Sequence, residues 1–143
     1  MKINSYLTFD GNCREAMTFY KESLGGDLML QPVEGSPMAD KMSQEMKESI
    51  LHSTLTTDGF VIMGSDMTPE TGLIKGNATS MVINCGSEAE IRNIFEKLSK
   101  EGEAHHKIET TFWGALFGNL TDKFGNNWML NYDEKNQCNS LKK

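Results

Sequence analysis

One pattern of residues occurs twice in this chain, about 75 positions apart. Residues 11–20 contain a glycine, then a Glu-Ala pair, then two aromatic residues. Residues 86–95 repeat this order loosely, with Ile94-Phe95 at the end. The glycine and methionine of residues 59–63 return in residues 125–129. A repeat of this length indicates that one half cannot bury its apolar face alone. The sequence therefore predicts two similar modules.

Alternation of apolar and polar residues marks the strands of the first module, and a 3.6-residue stripe marks its helix. Asn12 and Glu15 have the spacing of a capping box, and Gly25-Gly26 ends the helix. Residues 34–47 read as a loop with one helical turn, which is either a lid over a site or a plain surface loop. The predicted strands cover residues 3–9, 27–33, 50–57 and 60–65.

The second module follows a linker at residues 67–77, which holds Pro69, Gly72 and Gly76. Ser87 and Glu90 form a second capping box, and the helix that follows ends before Gly102. The predicted strands cover residues 78–84, 103–110, 115–120 and 128–132.

The predicted fold is α+β, with two βαβββ modules in one domain over residues 1–143. We expect two four-stranded antiparallel sheets, each with one helix on its back, that share a concave cup. Module one covers about 1–66 and module two about 78–133, and residues 134–143 form a C-terminal tail.

The last two strands form a predicted hairpin rich in aromatic residues. Its turn, residues 122–126, contains Gly125 and Asn126, which tolerate the positive φ of a tight turn. Aromatic rings line ligand pockets as well as cores, so the hairpin is either a pocket wall or plain core. Alternation puts Trp128 and Leu130 on the helix side, in the core.

Composition narrows the classes of partner. The net charge is −6 and no basic stripe occurs, which argues against nucleic acid. No apolar run is long enough for a membrane span, and no signal peptide precedes the first strand, so we expect a cytoplasmic protein. Cys13, Cys85 and Cys138 lack zinc-site spacing and are expected as reduced thiols. Cys13 is either activated by a helix dipole or structural.

Two stretches resemble a known family. They are YLTFDGNCREAMTFYKESLGG, residues 6–26, and TFWGALFGNLTDKFGNNWMLN, residues 111–131. Both are similar to the PhnB-like branch of the vicinal oxygen chelate (glyoxalase/bleomycin-resistance/dioxygenase) superfamily, a branch labelled 3-demethylubiquinone-9 3-methyltransferase-like. The resemblance runs from Ile3 to Asn131. It implies a paired βαβββ fold, a homodimer and a cup-shaped site.

Metal enzymes of this superfamily take one His, Gln or Glu ligand from the first and fourth strand of each half. By the resemblance, those positions here hold Ser5, Met63, Ala78 and Met129. Such a set will not hold a divalent ion, so we expect neither a metal nor another cofactor. The methyltransferase label also lacks support, because no glycine-rich strand-to-helix loop of a nucleotide-type site occurs.

The remaining chemistry is sparse. His52 is a weak candidate for a general base, and a structural histidine is the alternative. His105 and His106 are neighbours on a strand, so their side chains are expected on opposite faces. The predicted ligand pocket consists of Ser5, His52, Met63, Trp113, Phe117, Asn127, Met129 and Asn131.

These observations favour a protein that binds a small, partly apolar molecule in its cup without a metal. The alternative is a lyase, isomerase or other enzyme of the superfamily that uses His52 as base or an unrecognised metal site. A third reading is a dimer without a ligand. The sequence leaves open whether the protein is an enzyme.

Overall fold

A computed structural model describes residues 1–37, 39–41 and 43–134. The chain divides into two compact units, one over Met1–Ile74 and one that begins at Lys75. This division falls within the predicted linker at residues 67–77. Cys138 and most of the predicted tail lie outside the described residues.

The first unit contains one sheet, one long helix and one short helix. Its elements are β1 (Ser5–Thr8), α1 (Cys13–Leu24), β2 (Asp27–Pro32), α2 (Gln44–Lys47), β3 (Ile50–Thr56) and β4 (Val61–Ser65). The strand order is β1-β4-β3-β2. Within the loop at 34–47, α2 and a 3₁₀ turn at Ala39–Lys41 confirm the predicted helical turn.

The second unit repeats this plan. Its elements are β5 (Met81–Asn84), α3 (Glu88–Ser99), β6 (Glu103–Thr110), β7 (Leu116–Thr121) and β8 (Asn127–Tyr132). The strand order is β5-β8-β7-β6. Both units therefore have the predicted βαβββ order, and the α+β fold class is confirmed.

The prediction of purely antiparallel sheets was wrong at one pairing in each unit. β1 pairs with β4, and β5 with β8, in parallel. The cause is the helix, which carries the chain back so that the second strand starts in the direction of the first. Two hairpin reversals then leave the fourth strand running the same way as the first strand.

Each helix covers one face of its own sheet. In the first unit, Ala16 and Met17 of α1 are fully buried, as is Leu55 of β3. In the second unit, α3 packs on β6, β7 and β8, and its buried side chains are Ile91, Phe95 and Leu98. The stripe of apolar residues on each helix thus meets the apolar set of each sheet.

The helix-side prediction for the last strand is confirmed. Trp128 is 1% exposed and Leu130 is fully buried. They pair across the sheet with Leu120 and Gly118, which lie on the same covered face. A glycine is needed there, because a Cβ at position 118 would lie 2.7 Å from Ile108 Cδ1 and 3.1 Å from the ring of Phe95.

The two long helices, α1 and α3, begin in different ways. Ser87 accepts a hydrogen bond from Glu90 N at 3.1 Å, and the Glu90 carboxylate accepts one from Gly86 N, which confirms the second predicted cap. Asn12 makes no side-chain capping bond, so the first capping prediction was wrong.

Asp66 caps the first helix instead. Its Oδ1 accepts from Gly11 N and Cys13 N, both at 2.9 Å, and its Oδ2 accepts from Ile50 N at 2.8 Å. This buried carboxylate therefore joins the end of β4 to the start of α1 and the start of β3.

Candidate ligand-binding faces

The side of each sheet opposite its helix carries most of the predicted pocket residues. We call this side the far face of unit 1 or of unit 2. On the far face of unit 1, Tyr6, Met63 and Thr54 form one row across three strands. His52 lies on the same face opposite Gln31. The rings of Tyr6 and His52 are 6.0 Å apart between centroids and are tilted by 30°.

Ser5 does not belong to this row, so its predicted place in the pocket is corrected. It pairs with Ile62, which is buried on the helix-covered face. Side chains alternate along a strand, so the far face receives Tyr6 instead. The position assigned to Ser5 was thus shifted by one residue, and such a shift moves a side chain to the opposite face.

His52 is half-buried, and its ring makes no hydrogen bond or ion pair with any residue in the described part of the chain. Among the described residues, therefore, no carboxylate orients the imidazole of His52. The adjacent groups are the Tyr6 ring and the strand neighbour Gln31, whose amide donates to Pro32 O at 3.1 Å.

The far face of unit 2 holds four predicted pocket residues together. Phe117 pairs with Asn131, Asn119 pairs with Met129, and Asn127 lies one step further along the same strand. The outer strand β5 adds Val82 and Asn84 beside them. The face therefore combines apolar side chains with several amides, as small-molecule sites do.

Hydrogen bonds order the polar groups at one end of this face. Thr121 donates to Asn127 Oδ1 at 2.8 Å, and Asn127 donates to Thr79 O at 3.3 Å. His105 Nε2 lies 2.8 Å from Thr121 Oγ1. Because the hydroxyl proton of Thr121 is used for Asn127, Thr121 Oγ1 accepts from His105 Nε2, and the other ring nitrogen of His105 lies 3.9 Å from Glu103 Oε1.

The expectation for the two adjacent histidines was wrong. A β-bulge between Ala104 and His106 breaks the alternation of β6. His106 pairs with Asn119, and His105 hydrogen-bonds to Thr121. Both partners are on the far face, so the bulge brings the two histidines to the same side of the sheet.

Trp113 lies outside the strands, in the turn between β6 and β7. Its ring meets Phe112 edge-on at 4.7 Å, and the two side chains are 52% and 98% exposed. Thr111 closes the turn through hydrogen bonds with both backbone groups of Ala115. Trp113 therefore sits at the end of the sheet rather than among the far-face residues.

The structure shows the neighbours of the four positions that the resemblance aligns with metal ligands. Ala78 precedes β5, and the residue of β5 that faces Met129 is Val82. The two facing pairs are therefore Tyr6 with Met63 and Val82 with Met129. Phenol, thioether and aliphatic groups are a poor donor set for hard divalent cations. No three His, Cys, Asp or Glu side chains cluster as metal ligands in residues 1–37, 39–41 and 43–134.

The thiols of Cys13 and Cys85 are buried. Burial raises the pKa of Cys13 to about 11, and a hydrogen bond with Ser53 only partly opposes this effect. Burial likewise raises the pKa of Cys85 to about 11, with a smaller contribution from the nearby Glu90 carboxylate. The structural interpretation of Cys13 therefore fits better than activation by the helix dipole.

Sequence reasoning missed several far-face residues, among them Tyr6, Val82, Asn84, Asn119 and Thr121. Alternation alone was the available signal, because each of them follows a covered residue by one position. Once the register of one strand is known, the pairings place the rest.

Comparison with known proteins defines the class. The family model for 3-demethylubiquinone-9 3-methyltransferase matches residues 1–131. Protein YjdN of Escherichia coli strain K12 is 30% identical over 92% of this chain and 95% of its own length. The chain therefore belongs to this 3-demethylubiquinone-9 3-methyltransferase-like family.

Solved structures agree with this assignment. Protein PA1353 from Pseudomonas aeruginosa is 36% identical, with a TM-score of 0.82 over 93% of this chain and 98% of that one. A Bacillus cereus PhnB protein, titled a putative 3-demethylubiquinone-9 3-methyltransferase, is 25% identical, with a TM-score of 0.72 over 93% and 100%. For the fold alone, a glyoxalase/bleomycin resistance protein/dioxygenase family enzyme from Burkholderia phytofirmans has a TM-score of 0.59 at 12% identity, over 90% and 96%.

No helix in the described part of the chain has both the length and the apolar character needed to cross a membrane.

Proposed function

We propose that this protein binds a small, partly apolar molecule at its far faces and that it does so without a metal ion. The observation that carries the proposal is the make-up of the unit 2 face, where Phe117 and Met129 lie beside the amides of Asn127 and Asn131. Apolar groups supply the contact area for a ligand, and a few placed amides fix its orientation.

The metal-free part of the proposal rests on the two facing pairs, Tyr6 with Met63 and Val82 with Met129. Protein purified without chelator or affinity metal is analysed for bound metal, and its melting temperature is measured with Mg²⁺, Mn²⁺, Ni²⁺ and Zn²⁺. We expect no stoichiometric metal and no upward shift, since an ion that binds only the native state raises the melting temperature. One equivalent per chain with a clear shift would overturn this part.

Ligand binding is tested with a library of small neutral aromatic molecules, using ligand-observed NMR. The Met129→Ala variant removes a far-face contact, and Ile74→Ala, at an exposed position, is the matched control. We expect hits for the wild type and the control that weaken at least tenfold for Met129→Ala. Hits that bind both variants equally, or no hits for the wild type, would contradict the proposal.

One observation favours the enzymatic alternative, namely the position of His52 beside Tyr6 on the far face of unit 1. An imidazole there would act as a general base on a bound substrate, as the lyase or isomerase hypothesis requires. In that case His52→Gln would abolish turnover of a ligand found in the library screen. The affinity of this variant for the ligand would stay within about twofold of the wild-type affinity. If the wild-type protein turns over none of the molecules that it binds, the result would favour the hypothesis of a binding protein without catalysis.

We also propose that the protein is cytoplasmic and that it forms a homodimer, as the family resemblance implies. Size-exclusion chromatography with light scattering should give twice the mass of the chain. A mass equal to one chain at micromolar concentration would contradict the dimer.

A further inference from the structure

The far face of unit 2 is rich in amides and lacks charge on three of its four strands. Strands β5, β7 and β8 contain no Lys, Arg, Asp or Glu. Four asparagines, namely Asn84, Asn119, Asn127 and Asn131, lie on this face. Strand β6 adds Glu109 opposite Phe117, His106 opposite Asn119 and Glu103 opposite Thr121, so the charges of this face lie along its β6 edge. A neutral polar group placed among the four asparagines would be matched by their amides.

Three of these amides make hydrogen bonds within the protein. Asn127 uses its oxygen for Thr121 and its nitrogen for Thr79, as described above. Asn131 Nδ2 donates to Asn84 Oδ1 at 3.3 Å, so these two side chains orient each other. That pair leaves the Asn84 nitrogen as a donor and the Asn131 oxygen as an acceptor for other groups.

Asn119 differs from the other three. Its Oδ1 is buried and has no hydrogen-bond partner among the described residues. Its cross-strand neighbours are Met129 on one side and His106 on the other. An unsatisfied buried acceptor destabilises the native state, and such an atom in a native protein is explained by a bound water, an ion or a ligand donor.

We propose that Asn119 determines specificity on this face, where its Oδ1 accepts a hydrogen bond from a neutral N–H group of the ligand. This inference rests on the proposed function and narrows its ligand class to molecules with a primary or secondary carboxamide next to an apolar group. The carboxamide N–H is the donor to Asn119 Oδ1. Phe117, Val82 and Met129 surround the amides with the apolar surface that such a ligand needs.

The test compares benzamide, N,N-dimethylbenzamide and benzoate as probes on the full chain, with affinities measured by protein-observed NMR. These probes share one ring, but only benzamide has both a neutral charge and an N–H donor. We expect saturable shifts of the Asn119 and Met129 amides with benzamide, and at least tenfold weaker binding of the other two.

Variants assign the effect to the side chain. Asn119→Leu removes the acceptor at similar volume and should weaken benzamide at least tenfold. Asn93→Leu, at an exposed position of α3, is the matched control. Since Leu leaves no unsatisfied acceptor, Asn119→Leu should also melt at or above the wild-type temperature without ligand.

Equal affinity for benzamide and N,N-dimethylbenzamide, unchanged benzamide affinity in Asn119→Leu, or no benzamide binding would each overturn the inference. If other neutral library molecules still bind the face in that case, the proposed function stands and only the role of Asn119 falls. If no molecule binds the face, both fall.

Discussion

The indole N–H of Trp128 donates a hydrogen bond to Asp122 Oδ2 at 2.8 Å, below the last hairpin of the fold. The other oxygen of Asp122 accepts from Phe124 N at 2.8 Å and from Asn126 N at 3.1 Å. One buried carboxylate thus fixes both the hairpin turn and the ring of the largest core residue.

Asp122→Asn should therefore destabilise the protein by about 1–3 kcal/mol, because the new amide turns an N–H donor toward the indole or toward the turn. Urea unfolding followed by fluorescence measures the loss. Trp128→Phe removes the indole donor, so the double variant should lose less than the sum of the single variants. Strict additivity would show that the two residues do not interact.

The Asp66 bonds to three backbone amides predict a larger loss. Asp66→Asn preserves the shape of the side chain but places an N–H against at least one backbone donor, so unfolding should become easier by on the order of 3 kcal/mol. Exposed Asp10→Asn serves as the control and should stay within about 0.5 kcal/mol. A loss below about 1 kcal/mol at Asp66 would mean that the α1 cap contributes little.

Gly118 and Gly59 form a matched pair for alanine substitution. A Cβ at Gly118 would meet Ile108 and Phe95 at close range, whereas a Cβ at Gly59 has nothing within 4 Å. Gly118→Ala should destabilise the protein by about 1–3 kcal/mol through overpacking, and Gly59→Ala should be close to neutral. Differential scanning calorimetry of both variants tests this, and equal melting temperatures would contradict the packing of α3 on β7.

The buried thiols predict how stability depends on pH. A thiol whose pKa is raised from 9.0 to about 11 holds its proton more tightly in the folded state than in the unfolded state. The contribution of such a thiol to the free energy of unfolding is therefore complete below pH 9. It is lost as the pH rises to about 11, by up to about 2–3 kcal/mol per thiol. Urea midpoints between pH 8 and pH 11 should fall less steeply for Cys85→Ala than for the wild type.

Alkylation gives an independent measure of the same burial. Iodoacetamide at pH 8 should leave Cys13 and Cys85 unmodified in native protein and label both after unfolding, as read by peptide mass spectrometry. Rapid labelling of either thiol in the native protein would contradict its buried position.

Much of the fold could be predicted because its signals are local. Strand alternation has a period of two, and it placed Trp128 and Leu130 on the covered face without any knowledge of the neighbouring strands. The Ser87 cap needed only three residues of context. The repeat then indicated that the second unit copies the plan of the first.

The features that escaped prediction depend on distant partners or on a single inserted residue. The carboxylate that caps α1 comes from Asp66, 53 positions after Cys13. The bulge at His106 adds one residue to β6, and no composition signal marks it. The assignment of Ser5 failed for a similar reason, because family position does not fix the register of β1 to the residue.

Parallel pairing of the first and fourth strands sets the order in which each unit is completed during synthesis. Tyr6 leaves the ribosome early, but it has no strand partner until Met63 follows, and Val82 waits likewise for Met129. A nascent chain stopped before Val61 contains α1 and the strands β1, β2 and β3, but it lacks β4, which lies between β1 and β3 in the sheet. We expect it to be degraded in a pulse-proteolysis assay. A chain that extends past Asp66 holds both partners of the Tyr6–Met63 pairing and the carboxylate that caps α1, whereas the second unit has its corresponding pair only after Met129 is made.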